Sequence, residues 1–269
     1  MTHLYLRTLD GLRLAATLLV PTDVLLRGAV VMVHGGGVTR KEGGFFTRLA
    51  AGLSEAGVAS LRFDHRGHGQ SEGKQEDLTL SAILNDIRVA GARLRAETGQ
   101  DSVSLLGASF GGGICGYYAA KRPDEIRRLL LLNPQFDYKK RAIDSRDYWH
   151  ADTLAEPMAK LLAENGFIDF TPSLKHGRAI LNEVFWLRPD EVVGDIQAPT
   201  LVVHGTKDTF VPVESSRAAV ARLRSEHRLV EIEGAQHGFA VHDDPQYLDP
   251  QSQVWQASVI RTVTEWLTV

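Results

Sequence analysis

Five short runs are apolar with little alternation: AVVMV (29–33), VASLRF (58–63), VSLL (103–106), RRLLLL (127–132) and APTLVVHG (198–205). A strand with one face in water alternates apolar and polar residues. Unbroken runs belong to strands buried on both faces, in a sheet that helices cover on both sides. Residues 44–57 and 81–99 supply such helices, with apolar side chains at helical spacing and a glycine stop at Gly57. Residues 213–224 and 252–268 read as two more helices, and HRLVEIE (227–233) as a further strand. LYLRT and LRLAATLLV flank Asp10-Gly11 and predict an antiparallel hairpin near the start. The pattern predicts an α/β fold with a mostly parallel sheet. A chain of 269 residues is long enough for one domain with an insertion.

The insertion is visible where the rhythm stops. Residues 134–195 show no clear buried strand, yet hold eight aromatic residues of a chain total of 10 Phe, 6 Tyr and 4 Trp. That is too much apolar surface for a solvated loop. We expect an inserted helical cap at 134–195 with its own small core, on a main body of residues 1–133 and 196–269. A cap over the strand ends must also face whatever binds there, so Trp149, Phe170 and Trp186 are candidate substrate contacts.

LLGASFGGGICGYYAA (105–120) crowds glycines around one serine. Ser109 follows a buried strand and opens a helix, so the chain must reverse sharply there. Gly107 and Gly111 leave room for the turn, and Gly112 and Gly113 let the helix pack closely on neighbouring strands. The geometry lifts the serine hydroxyl out of the sheet at the positive end of the helix. The Phe110 N–H, unpaired within the helix, can there donate to a developing oxyanion. No Gly-Lys-Ser/Thr follows, which counts against a phosphate loop.

A serine nucleophile needs a base, and the base needs orienting. His237 lies in EGAQHGF after the last predicted strand, and Asp208 in HGTKDTFVP after the preceding one. Nucleophile, acid and base thus follow one another along the chain, each at the carboxyl end of a strand. In this the sequence resembles the α/β-hydrolase superfamily, over essentially its whole length. VVMVHGGGVTRKE resembles that family's oxyanion loop, and LRFDHRGHGQSEG its Asp-x-Arg-Gly-x-Gly-x-Ser signature. Together these motifs resemble the branch of feruloyl and cinnamoyl esterases, monoacylglycerol lipases and serine aminopeptidases. The resemblance implies an α/β-hydrolase fold and a serine hydrolase that cleaves a carboxylic ester through an acyl-enzyme. It implies Gly36 as the second oxyanion N–H and no metal or organic cofactor. It also makes Asp64 and Arg66 turn formers rather than part of a metal cluster with His65 and His68.

The rivals are a thioesterase or an acyltransferase fed by an acyl carrier protein, then a peptidase, then carbon–carbon bond hydrolysis. A ligand receptor that has lost catalysis is the rival from another class. A carrier would need a basic docking face, for which KRPDEIRR (121–128) and KKR (139–141) are the candidates. His34 and His204 are expected to order loops, and His242 to lie on the surface. Net charge is −3, which gives no electrostatic case for nucleic acid or an anionic membrane. The single cysteine, Cys115, excludes an intrachain disulfide, and no apolar run is long enough to span a bilayer. A cytoplasmic protein acting on a small ester or thioester is the expectation.

Overall fold

In a computed structural model describing residues 1–269, the chain opens with the hairpin β1 (Thr2–Arg7) and β2 (Arg13–Leu19). Gly11 turns it with φ of 96°, in the left-handed region that glycine tolerates. Strands and helices then alternate: β3 (Gly28–Val33), α1 (Phe45–Glu55), β4 (Val58–Phe63), α2 (Leu80–Thr98), β5 (Val103–Ala108), α3 (Phe110–Lys121) and β6 (Ile126–Leu132). The next stretch holds β7 (Trp149–His150), β8 (Thr153–Leu154), α4 (Glu156–Asn165), β9 (Phe167–Thr171), β10 (Leu174–Gly177) and α5 (Arg178–Glu183). Finally β11 (Thr200–Gly205), α6 (Val213–Val220), β12 (His227–Ile232) and α7 (Pro250–Thr268) complete the chain.

Eight strands form one sheet in the order β1-β2-β4-β3-β5-β6-β11-β12. Only β2 runs against the other seven strands, and β4, β3, β5, β6, β11 and β12 are parallel to one another. Every residue of β3, β4, β5 and β11 is buried, as the unbroken apolar runs require. Along β3, Val31 and Val33 enter one core, while Val30 and Met32 enter the other, beneath α1 and α7. Local chemistry fixes the helix ends. Thr79 accepts the Ala82 N–H at the start of α2, and Gly99, with φ of 67°, closes it. Asp249 accepts the Gln251 N–H ahead of Pro250 at the start of α7. No helix is long and apolar enough to cross a membrane.

The segment 134–195 is not the all-helical unit expected from its composition. It carries two antiparallel pairs, β7 with β8 and β9 with β10, beside α4 and α5. It does not keep a core of its own either. Tyr138, Ile143, Leu162, Ile168 and Ile180 are buried in the same cluster as Val31 and Leu129 of the sheet. The segment is packed down on the main body by those side chains.

Candidate active site

Parallel strands deliver the loops after β3, β5, β11 and β12 to one edge of the sheet. Ser109 stands at the turn from β5 to α3 with φ of 51° and ψ of −118°, a strained conformation for any residue but glycine. Its neighbours hold it there. The Ser109 N–H donates to the Leu132 carbonyl, and its own carbonyl accepts from Gly112 and Gln135, all at 2.9 Å. A Cβ at Gly107 would lie 2.3 Å from the Gly111 carbonyl oxygen, and one at Gly111 would lie 2.5 Å from that of His34. The two glycines are therefore dictated by space. Gly112 lets α3 close on β5 at the Gly107 carbonyl, 3.4 Å from where its Cβ would lie. The tighter approaches of Gly112 and Gly113 are to Pro134 and Gln135 of the loop after β6, with a Gly113 Cβ falling 2.1 Å from the Gln135 oxygen.

The structure brings Ser109, His237 and Asp208 into one hydrogen-bonded chain. His237 Nδ1 lies 2.6 Å from Asp208 Oδ2, and its Nε2 lies 2.9 Å from Ser109 Oγ. A carboxylate only accepts, so the proton sits on Nδ1 and leaves Nε2 to accept from the serine hydroxyl. Asp208 Oδ1 accepts the N–H groups of Phe210 and Val211, at 2.8 and 2.9 Å. Burial alone would raise the Asp208 pKa. Hydrogen bonds from His204 and His237, the His237 charge and the Val211 N–H outweigh it and hold the group well below the usual carboxylate range. His204 orders this loop, as expected, through the Val211 carbonyl and Ser216.

The N–H groups of Phe110 and Gly36 make no hydrogen bond within the protein, and both residues line the cavity that Ser109 opens into. The loop carrying Gly36 is held from behind. His34 donates to the Gly35 carbonyl and accepts the His65 N–H, while buried Glu42 accepts the Gly35 N–H. Burial, then the neighbouring His68, push the His34 pKa down to about 3, so it acts as a neutral scaffold. Asp64 accepts from Arg40 and from the Gln70 N–H, and Arg66 bridges Asp10 and Asp86. These side chains form a turn. His242 is exposed beside Asp243.

The cavity has a volume of about 250 Å³ and mostly apolar walls. Of the three aromatics expected in it, only Phe170 lines it. Trp186 is 88% exposed beside Tyr117 and Leu187, away from Ser109. Trp149 is half-buried against Phe185, its indole nitrogen without a partner. Aromatic enrichment marks a packed segment but gives no side-chain direction, which is why two of the three were misplaced. The walls instead include Phe210, stacked on His237 at 5.4 Å, and Tyr138, His176 and Arg141. No sequence signal singled these out, except that Phe210 follows two residues after Asp208.

Residues 26–166 match the family described as serine aminopeptidase, S33. The chain belongs to that family. It is an α/β-hydrolase of the serine hydrolase type, with a mostly parallel eight-stranded sheet. The matched stretch contains Ser109 but neither Asp208 nor His237, so the whole-chain relatives matter. A monoacylglycerol lipase of Mycolicibacterium smegmatis is 28% identical, over 96% of this chain and 93% of its own. The proline iminopeptidase PfmaB of Pestalotiopsis fici is 26% identical, over 87% and 92%. Among solved structures, Est1E of Butyrivibrio proteoclasticus with ferulic acid bound superposes with a TM-score of 0.78 at 25% identity, covering 99% of this chain and all of that one.

Proposed function

We propose that this esterase- or lipase-type α/β-hydrolase cleaves a carboxylic ester through an acyl-enzyme intermediate. The observation that carries the reading is the chain Asp208–His237–Ser109, ending at a cavity into which two unpartnered N–H groups open. His237 Nε2 takes the hydroxyl proton as Ser109 Oγ bonds to the ester carbonyl carbon. Asp208 holds the imidazole tautomer and stabilises the imidazolium. The Phe110 and Gly36 N–H groups donate to the oxyanion. Its collapse expels the alcohol, protonated by His237. Water then repeats the sequence on the acyl-enzyme, its proton going to His237 and then to Ser109, and the acid departs. Residues 134–195 act as the cap that shapes the acyl or alcohol site.

The family name and one relative raise the peptidase alternative. An aminopeptidase site needs an acidic group for the substrate's free ammonium. No aspartate or glutamate lines this cavity, and its only permanent charge is the cation of Arg141. That favours an ester. Acyl transfer from a carrier gains little from the basic clusters. Ile126 pairs with Val103 at the amino-terminal end of the sheet, so residues 121–128 lie opposite Ser109. Lys139 is already paired with Asp144 and Asp152.

Labelling with a fluorophosphonate probe, followed by peptide mapping, tests the reading. The expected adduct is on Ser109, with turnover of p-nitrophenyl esters exceeding that of acyl thioesters and aminoacyl anilides. An unlabelled protein would be a non-catalytic member of the fold, and preference for the anilides would make it a peptidase.

A further inference from the structure

Arg141 is the arginine of the cavity wall. Most shielded guanidinium groups have oxygen partners: Arg40 has Asp64, Arg66 has Asp10 and Asp86, Arg188 has Asp190, and Arg62 has the Phe46 carbonyl. Half-buried Arg95 of α2 has no such partner but does not line the cavity of Ser109. Arg141 is half-buried, lines the cavity of Ser109, and has neither an ion pair nor a side-chain hydrogen bond. What it touches is aromatic. Its Cζ lies 5.8 Å from the ring centroids of both Phe170 and Phe210. Those rings steady the cation but give its five N–H donors no protein acceptor, and none of the five is sealed from solvent.

The surroundings decide which charge suits this guanidinium. Burial, then the like charge of Arg146, disfavour the Arg141 cation. Arg146 itself lies 4.1 Å from the Phe170 ring and donates to the Phe170 carbonyl. The acid whose field reaches Arg141 is Asp208, but that carboxylate is already taken by His237 and two backbone N–H groups. Phe210 spans the two sites, touching Arg141 and stacking on His237, so the unpaired fork stands one aromatic ring from the catalytic imidazole. Arg141 also borders a second cavity with Asp137, Asp190 and Glu214, but those acids are paired with Arg188 and Arg217. On the Ser109 side the guanidinium stands in an apolar wall without an acid, where a planar anion matches it and a carboxylate accepts two of its N–H groups at once.

Resting on the ester-hydrolase reading above, we propose that the substrate is an ester that also carries a free carboxylate, and that Arg141 is the residue that selects it. A half-ester of a dicarboxylic acid would present this group on the acyl side, and a carboxylated alcohol on the leaving-group side.

Two matched pairs separate these sources: mono-p-nitrophenyl glutarate against p-nitrophenyl valerate, and 4-acetoxybenzoate against phenyl acetate. In the wild type, kcat/KM for the carboxylated member of one pair should exceed that of its neutral match by on the order of 10- to 100-fold, the worth of a charge-assisted pair. Arg141→Gln should abolish that ratio and Arg141→Lys keep part of it, with thermal melts confirming that both variants fold. Turnover of the neutral esters without preference for either carboxylate overturns the proposal alone. So does an Arg141→Gln variant that folds and loses both members of a pair equally. Turnover of none of the four esters overturns the ester reading itself, and this proposal with it.

Discussion

The strand-end turns and the segment 134–195 face each other across one cavity, and they are built on opposite terms. At the strand ends each reacting side chain has a partner: Ser109 has His237, His237 has Asp208, Asp208 has two backbone N–H groups. What is left unpaired there are the two N–H groups that face the cavity and, behind the Gly36 loop, His65 Nδ1 and His68 Nε2. Across from them, Arg146 Nε, Trp149 Nε1 and His176 Nδ1 are buried without partners, and Arg141 has no acid. Reacting groups need fixed geometry, which parallel strands and tight turns supply. The facing wall needs only shape and charge. Mutations on the two sides should therefore differ in kind, with rate for every substrate lost on one side and choice among substrates altered on the other.

The largest effect belongs to Ser109→Ala. The strained backbone is held by its main-chain partners, so the variant should fold while turnover falls by on the order of 10⁶ for small and bulky esters alike. A variant retaining a tenth of wild-type activity would remove Ser109 from the nucleophile's role and break the comparison at its centre.

Asp208→Asn comes next, with kcat lowered by on the order of 10⁴. An amide at 208 can hold the imidazole in the wrong tautomer and cannot stabilise its cation. Asp243→Asn and Asp244→Asn serve as controls, since Asp243 is exposed and Asp244 accepts from Leu248, Asp249 and Ser252 rather than from His237. A control as damaged as Asp208→Asn would place the acid elsewhere.

Rigidity behind the Gly36 loop has a measurable cost at Glu42. Burial raises its pKa to about 7 from an ordinary 4.5, against the lowering effect of the Gly35 N–H. Between those values the folded protein holds a proton that the unfolded chain has released, so stability falls as pH rises through this window. The loss reaches about 3 kcal/mol when complete. Glu42→Gln keeps an acceptor for Gly35 but cannot ionise. Its melting temperature should gain on the wild type between pH 5 and pH 8, whereas a gap independent of pH would mean that Glu42 titrates like an exposed acid.

How much of this was legible in the sequence follows the same divide. β3, β4, β5, β6 and β11 announce themselves as unbroken apolar runs, and the order Ser109, Asp208, His237 could be read because Ser109 and Asp208 follow such runs and His237 follows the edge strand HRLVEIE. Gly107 and Gly111 were legible because a tight turn excludes a Cβ. On the other side the reading failed at Trp186 and Trp149, because composition reports how much apolar surface a segment carries and not where it points. The β9–β10 hairpin had a signal, the aromatic and β-branched residues of FIDFT and the Pro-Ser turn after it, that the segment's aromatic content obscured. Arg141 sits in a Lys-Lys-Arg run that reads as solvated surface, and Glu42 follows a glycine-rich loop. Only packing separates these two from ordinary exposed charges.

The smallest effects are at the wall, and they decide whether it selects substrates. Phe170 lines the cavity, whereas Trp186 belongs to the same segment and the same residue class but is exposed to solvent. Phe170→Ala should lower kcat/KM for p-nitrophenyl octanoate more than for p-nitrophenyl acetate, whose acyl group is too short to need that ring. The expected difference is about 1–3 kcal/mol, or roughly 5- to 150-fold. Trp186→Ala should leave both esters within about twofold, as an exposed side chain remote from Ser109 should. Phe170 also supports Arg146 and His176 by direct ring contact, so its loss could act through unfolding instead. Melts run beside the kinetics separate the two, because unfolding lowers both esters equally and selection does not. A Trp186→Ala variant as selective as Phe170→Ala would show that the segment shapes substrate choice through its packing as a whole. The division between a wall that selects and turns that react would then fail on the wall's side.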